Sequence, residues 1–285
     1  MTDRACLGGI AVGEGVDVAV AGALNVSPES FYPGSIATDQ DSLLRAAEIM
    51  AEAGAAFVDV GGMSTAPYLA TRIDEAEEAD RLAWAIDLLV TKIGLVISAD
   101  TSRRGPALAA LRAGARIIND VSGLTADERL AGELARRPDV GLILMAHEPP
   151  ALTRDAPIAL VARVLDESLA RARAAGIDAS RIAVDPGIGF FRHQALAWPE
   201  WDVSVLGHLD ELRVLRRPLA VGVSRKSFVG ALTGETDPAR RLPGSLAATA
   251  LAVLHGAHLI RTHDVAETLQ AVTVAQAVRR ARGGR

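Results

Sequence analysis

Cysteine is nearly absent: Cys6 is the only one in the chain. A lone thiol excludes an intrachain disulfide framework and any zinc site built from several thiolates, and it fits a reducing, cytoplasmic setting. Aromatic residues are scarce at 4%, which argues against a surface that stacks the bases of single-stranded nucleic acid. Positive charge is in deficit, with 30 Lys and Arg against 35 Asp and Glu. A general polyanion binder needs the opposite balance, so nucleic acid is not an expected partner. Any phosphate must be met by a few focused cations. No run of about eighteen apolar residues occurs and no charged-then-apolar leader opens the chain, so no membrane association is expected.

What is abundant is aliphatic sequence: 49% of the 285 residues are hydrophobic, arranged in two alternating periods. Short strand-like runs fall at Asp17 to Leu24, Ala56 to Val60, Leu95 to Ser98, Arg116 to Ile118, Val140 to Met145, Arg181 to Val184, Leu219 to Val223 and His258 to Ile260. Longer amphipathic stretches follow them at Ser42 to Ala53, Asp74 to Val90, Pro106 to Ala113, Ala126 to Arg136, Ile158 to Ala174, Val203 to Leu215, Gly244 to Leu254 and Val265 to Arg280. Gly54, Gly114, Gly176 and Gly256 stand where helix C-termini need a left-handed residue. Eight βα units predict a parallel sheet closed into a (β/α)8 TIM barrel, with a doubly wound open sheet as the alternative. A single domain is expected over residues 1–285, the barrel spanning about 17–281, with the first dozen residues and Ala281 to Arg285 as frayed or decorative tails.

The strand exits carry the chemistry. Asn25, Asp59, Asp100, Asn119, His147, Asp185, Arg225, Lys226, Arg261 and His263 lie on or just after successive runs. Active sites of TIM barrels are built at the C-terminal ends of their strands. A single Asn, Asp, Ser or Thr there is as readily a helix cap, but all eight exits together are harder to explain by capping. Arg225, Lys226, Arg261 and His263 cluster after the last two strands, where barrels commonly hold phosphate, and a helix starting near Ser227 would add backbone donors. The alternative is a salt-bridged strand end. Asp100 and Asp185 follow apolar strands and belong at the bottom of a pocket. A planar ligand with adjacent N–H donors, such as a 2-amino-pyrimidinone edge, would pair with a carboxylate in a bidentate fork, and Asn119 could both donate and accept. A structural Asp–Lys pair is the competing account.

Other polar and aromatic residues carry less. His193, His208, His255 and His258 have no metal-ligand spacing and are expected at the surface or in packing. Trp84, Trp198 and Trp201 are expected to pack helices or anchor loops, and Cys6 falls outside the barrel pattern.

At these positions the chain resembles the dihydropteroate synthase family, from about Ala19 to about Val272. The motifs are Leu24-Asn25-Val26-Ser27-Pro28-Glu29-Ser30-Phe31, Ile117-Ile118-Asn119-Asp120-Val121-Ser122-Gly123, Asp185-Pro186-Gly187-Ile188-Gly189-Phe190, Ser224-Arg225-Lys226-Ser227-Phe228 and Arg261-Thr262-His263-Asp264-Val265. The resemblance implies condensation of 6-hydroxymethyl-7,8-dihydropterin diphosphate with an arylamine, normally p-aminobenzoate, releasing pyrophosphate. Carried over by motif, Asp100, Asn119, Asp185 and Lys226 would hold the pterin. Asn25, Arg261 and His263 would hold the diphosphate, with Asn25 helping to bind Mg2+. Thr65, Pro67, Phe190, Lys226 and Ser227 would frame the arylamine. Asp100, Lys226, Arg261 and His263 are the residues expected to be catalytic. A homodimer formed through helices late in the barrel is also implied.

The sequence departs from the family at two loops. The usual Glu-Ser-Thr-Arg-Pro-Gly is Met63-Ser64-Thr65-Ala66-Pro67-Tyr68 here, and the usual Leu-Met-His becomes Leu144-Met145-Ala146-His147. The segment Phe191 to His208 is also longer and richer in tryptophan. These departures fall on the arylamine side and raise a changed acceptor, such as a ribosylaminobenzene phosphate of methanopterin-type synthesis; a folate-pathway enzyme using p-aminobenzoate with a tolerated loop change is the alternative. Two other classes compete. A pterin-dependent methyltransferase domain would not need Lys226, Arg261 and His263 placed for diphosphate, and a non-catalytic pterin-binding paralogue would bind without releasing pyrophosphate.

Overall fold

A computed structural model describes residues 3–27, 39–64, 73–153 and 155–283. The chain opens with a hairpin, β1 (Arg4–Leu7) and β2 (Ile10–Gly13), paired antiparallel. Eight strands then alternate with helices: β3 (Ala19–Asn25), α1 (Gln40–Glu52), β4 (Phe57–Gly61), α2 (Glu75–Lys92), β5 (Val96–Asp100), α3 (Arg104–Arg112), β6 (Ile117–Asp120) and α4 (Glu128–Ala135). The second half adds β7 (Gly141–Met145), α5 (Pro157–Ala174), β8 (Ile182–Asp185), α6 (Trp198–Gly207), β9 (Ala220–Gly222), α7 (Ser227–Thr233), α8 (Leu242–Leu254), β10 (Leu259–Thr262) and α9 (Val265–Gly283).

The eight strands are all parallel, in the spatial order β8-β7-β6-β5-β4-β3-β10-β9. A parallel bridge between Val184 and Leu219 joins the two ends, and the Val184 N–H donates to Pro218 O at 2.9 Å. The sheet therefore closes, and the barrel, not the open doubly wound sheet, is the fold. Strand residues facing outward, Val58, Val60, Ile97 and Ile118 among them, pack under the helices in one continuous core. Asp39, Asp74 and Asp127 cap α1, α2 and α4 by accepting from Ser42, Ala76 and Arg129 backbone N–H groups. Gly54, Gly114, Gly176 and Gly256 end their helices at positive φ, as the sequence requires.

Three expectations are corrected. The first dozen residues are not a frayed tail: Leu7 and Val12 of the hairpin are fully buried and pack with Phe57, Ile117, Ile143 and Leu259, plugging the N-terminal end of the barrel. A Cβ on Gly8 at the hairpin turn would lie 2.7 Å from Arg116 O, so only glycine lets the turn sit this close to the barrel. The outward residue Cys6 is exposed. At the other end, α9 runs on to Gly283. The third correction is α6, which begins at Trp198-Pro199 rather than Val203 and breaks after Gly207, followed by a 3-10 turn over Leu209–Leu215. Proline in a first helical turn is a start signal.

Candidate active site

Strand register brings the polar residues into one layer at the C-terminal mouth. Asn25 is level with Gly61, Gly61 with Asp100, and Asp100 with Asn119. At the centre lies Arg261 of β10. Its Nε donates to Asp59 Oδ2 at 2.5 Å and its Nη2 to Asp100 Oδ2 at 2.9 Å. Asn119 Nδ2 donates to the same Asp59 oxygen at 3.0 Å. Both carboxylates are buried, and Asp59 Oδ1 and Asp100 Oδ1 have no hydrogen-bond partner among the described residues. Buried acceptors left this way cost free energy that a ligand donor can recover. Burial pushes the Asp100 carboxyl up to about 7 against the pull of Arg261, and the repulsion of Asp59 adds to the rise. The guanidinium it shares with Asp59 does not hold Asp100 fully ionised.

Across the pocket, Asp185 ends β8 and its Oδ1 accepts from the Gly187 N–H at 2.7 Å. Burial raises its pKa, with Lys226 opposing. The Lys226 ammonium donates to Ile188 O and lies 4.9 Å over the Phe190 ring. Burial lowers its pKa to about 8, although Asp185 and Asp202 favour its charge. A Cβ on Gly189 would come within 3.0 Å of Lys226 Cδ, so that glycine admits the lysine stem. Asp202 of α6 accepts from the Gly189 N–H at 2.7 Å and fixes the same loop from behind; burial raises it to about 6.

The expected cationic cluster is smaller than the sequence suggests. Arg225 is buried and grips Asp264 with two bonds of 2.9 and 2.6 Å while donating to Pro238 O and Ala239 O. It is a structural residue, and the salt-bridged reading holds for it. His263 meets Ser224 Oγ at 3.0 Å through Nδ1. Burial, followed by the nearby Arg261, Arg225 and Lys226 cations, depresses its pKa to about 3. It is therefore a neutral hydrogen-bonding group in this state and not a charge. Lys226 and Arg261 supply the positive charge.

On the remaining wall, Phe190 and Ser227 stand together with Lys226, and Ser227 Oγ accepts from Arg192 Nη2 at 2.7 Å. The β8–α6 loop is tied down by Glu148, which accepts the Arg192 and His193 backbone N–H groups at 2.9 and 2.7 Å and the Gln194 amide at 3.1 Å. Trp198 and Trp201 anchor this loop, as expected of them: Arg192 lies 4.2 Å over Trp198, and Trp201 stacks on Phe191 at 5.0 Å. Thr65 and Pro67, together with the stretch Pro28 to Phe31, fall outside the described residues. His147 is partly buried at the β7 exit, and among the described residues its Nδ1 meets no hydrogen-bond partner. Sequence reasoning did not assign Asp59, Glu148, Arg192 or Asp202. Only Asp59 left a signal: an acid inside the otherwise apolar strand Phe57-Val58-Asp59-Val60-Gly61 must find a partner.

A closed parallel barrel whose strand ends gather buried acids, an amide, a lysine and an arginine defines a small-molecule enzyme for a flat, donor-rich ligand carrying an anionic group. Residues 21–263 match the family model described as pterin binding enzyme. The chain is 39% identical over 269 residues to the dihydropteroate synthase of Mycobacterium leprae, covering 90% of this chain and 92% of that protein. It is 35% identical to the Escherichia coli K12 dihydropteroate synthase, with 90% of each chain covered. A Xanthomonas albilineans dihydropteroate synthase structure with 4-aminobenzoic acid superposes with a TM-score of 0.86 at 37% identity, covering 98% of this chain and 99% of that one. The chain belongs to the dihydropteroate synthase family of pterin-binding enzymes.

Proposed function

We propose that this chain is a transferase that condenses 6-hydroxymethyl-7,8-dihydropterin diphosphate with p-aminobenzoate and releases pyrophosphate, a step of folate biosynthesis. The observation that carries the reading is the array of buried Asp59, Asp100 and Asn119 around the half-buried Arg261, with one carboxylate oxygen of each acid left as an acceptor. Adjacent N–H groups of a 2-amino-4-oxo pterin match such acceptors, and Asp185 and Lys226 close the pocket opposite.

The chemistry needs no enzyme nucleophile. The bond between the pterin methylene carbon and the diphosphate oxygen breaks, and pyrophosphate leaves with the electron pair. The conjugated pterin carries the resulting positive charge. That charge favours the ionised form of Asp100, whose carboxyl burial otherwise holds near neutrality. The arylamine lone pair then forms the C–N bond and the nitrogen loses a proton. Arg261 and Lys226 offer positive charge to the departing group, and an arriving diphosphate would raise the depressed pKa of His263 toward its charged form. Catalysis here is positioning together with preorganised electrostatics.

Mg2+ fits the donor set. Among the described residues no group of three or more His, Cys, Asp or Glu is placed to hold a metal. The Asn25 carboxamide oxygen instead flanks Gly61, with Asp100 on the other side of that glycine. Mg2+ keeps several waters and takes few protein oxygens beside a substrate's phosphates, so the Asn25 oxygen would serve on the protein side. Bound there, it would neutralise charge on the diphosphate. For quaternary structure we assign a homodimer, supported by the exposed Leu232, Leu251, Val274 and Val278 on α7, α8 and α9. A monomeric mass by light scattering would remove it.

Pyrophosphate release by the purified protein with Mg2+ and the pterin diphosphate tests the activity. Turnover with p-aminobenzoate and none with a ribosylaminobenzene phosphate is the expected result. Preference for the riboside would move the chain to methanopterin-type synthesis. Pterin binding without release from either amine would make it a binding protein.

A further inference from the structure

We infer that Arg192 is the specificity-determining residue of the acceptor side, reading the carboxylate of the arylamine. This rests on the proposed synthase reaction and adds a residue to it. Arg192 brings its guanidinium to the wall formed by Phe190, Lys226 and Ser227, with Nη2 2.7 Å from Ser227 Oγ. Three further restraints fix it there. Its Nε donates to Gly189 O at 3.1 Å, its guanidinium carbon lies 4.2 Å from the Trp198 ring centroid, and its backbone N–H is held by Glu148 at 2.9 Å. A guanidinium ordered before the ligand arrives loses little entropy on binding, and its planar fork matches a carboxylate in geometry and charge.

The two cations of this wall divide the work. Lys226 serves the pterin and its leaving group: its ammonium bonds Ile188 O, and Asp185 and Asp202 favour its charge. Arg192 lies beside the hydroxyl of Ser227. An arylamine lying against Phe190 with its amino group toward the pterin would direct its para substituent at Arg192 and Ser227. A para carboxylate meets a cation and a hydroxyl there, whereas a neutral amide of the same shape brings no charge to them.

The test is steady-state kinetics with p-aminobenzoate and with its neutral isostere p-aminobenzamide, for the wild type, Arg192→Gln and Arg192→Lys. Loss of a charge-assisted bond predicts a KM for p-aminobenzoate raised about tenfold or more in Arg192→Gln, with little change in KM for the amide. The preference for acid over amide therefore collapses. KM for the pterin diphosphate should stay within about twofold, which a collapsed loop would not allow. Arg192→Lys should restore part of the preference, because it keeps the charge and loses the fork. If Arg192→Gln weakens acid and amide by the same factor, or changes neither, Arg192 is a loop anchor and the inference is wrong. A wild type inactive with every arylamine overturns the synthase reading itself, and this inference falls with it.

Discussion

Replacing Asp59 by asparagine tests whether the centre of the pocket is built as described. The wild-type Oδ2 accepts from Arg261 at 2.5 Å and from Asn119 at 3.0 Å, and Oδ1 meets no donor. Asparagine keeps the shape and removes the charge. If its oxygen stays toward the two donors, Arg261 exchanges a charge-assisted bond for a neutral one. The new amide then points its own donor at the place where a ligand N–H must go. If the amide turns over, two donors face a third. Breaking a buried pair outright costs about 3–5 kcal/mol. Here Arg261 keeps Asp100 at 2.9 Å, and removing Asp59 relieves the repulsion that helps raise Asp100. The stability loss should therefore be smaller, about 1–3 kcal/mol, the range of one charge-assisted bond made neutral. Ligand binding should suffer more. A lost acceptor and a misdirected donor together cost at least about 1.5–3 kcal/mol, or about 10–100-fold in Kd. The denaturant midpoint read by tryptophan fluorescence and the Kd of dihydropterin diphosphate by calorimetry measure the two effects separately. A variant with the wild-type midpoint and an unchanged Kd would refute the claim that Asp59 organises the site.

Asp185→Asn should weaken pterin binding, about tenfold or more, by removing the charge-assisted acceptor opposite Lys226; unchanged affinity would remove Asp185 from the pocket. Asp202 should leave a pH signature. Its folded pKa is raised to about 6 from 3.8, so its stabilising contribution is complete below the unfolded value and lost as pH rises through 6. The wild type should then lose stability between about pH 4 and 6 relative to Asp202→Asn, on the order of 3 kcal/mol if one group accounts for the shift. Parallel stability profiles for the two proteins would show that Asp202 titrates alike in the folded and unfolded chain and that the fold does not raise its pKa. Leu7→Ala should lower stability by about 2–5 kcal/mol, since Leu7 is fully buried in the barrel plug. A loss under about 1 kcal/mol would mean that the hairpin is dispensable.

Much of the fold is legible because burial has a period. The alternation of short aliphatic runs with amphipathic stretches marks eight βα units, and the helix-ending glycines and capping aspartates punctuate them. The same pattern tells which polar residues sit at strand exits, so Asp100, Asn119, Asp185, Lys226 and Arg261 were readable as a set before any contact was known. The hairpin also left a trace, in two glycines between alternating residues, but an alternation of four residues is too short to separate a plug from a loose end.

Who pairs with whom was not legible. Arg261 and Asp59 stand 202 residues apart, and only the barrel puts the last strand beside the first, from where Arg261 reaches the acids of the next two. That placement makes Arg261 the shared partner of two acids. It also spends Arg225 on Asp264 and buries His263 among cations until it is neutral. The β8–α6 loop likewise reaches Ser227 only through the hold of Glu148 and Trp198. Local sequence sets where a side chain starts and whether it is buried. Its charge state and its partner depend on the field and the distances set by all the other strands together, and those exist only in the folded barrel.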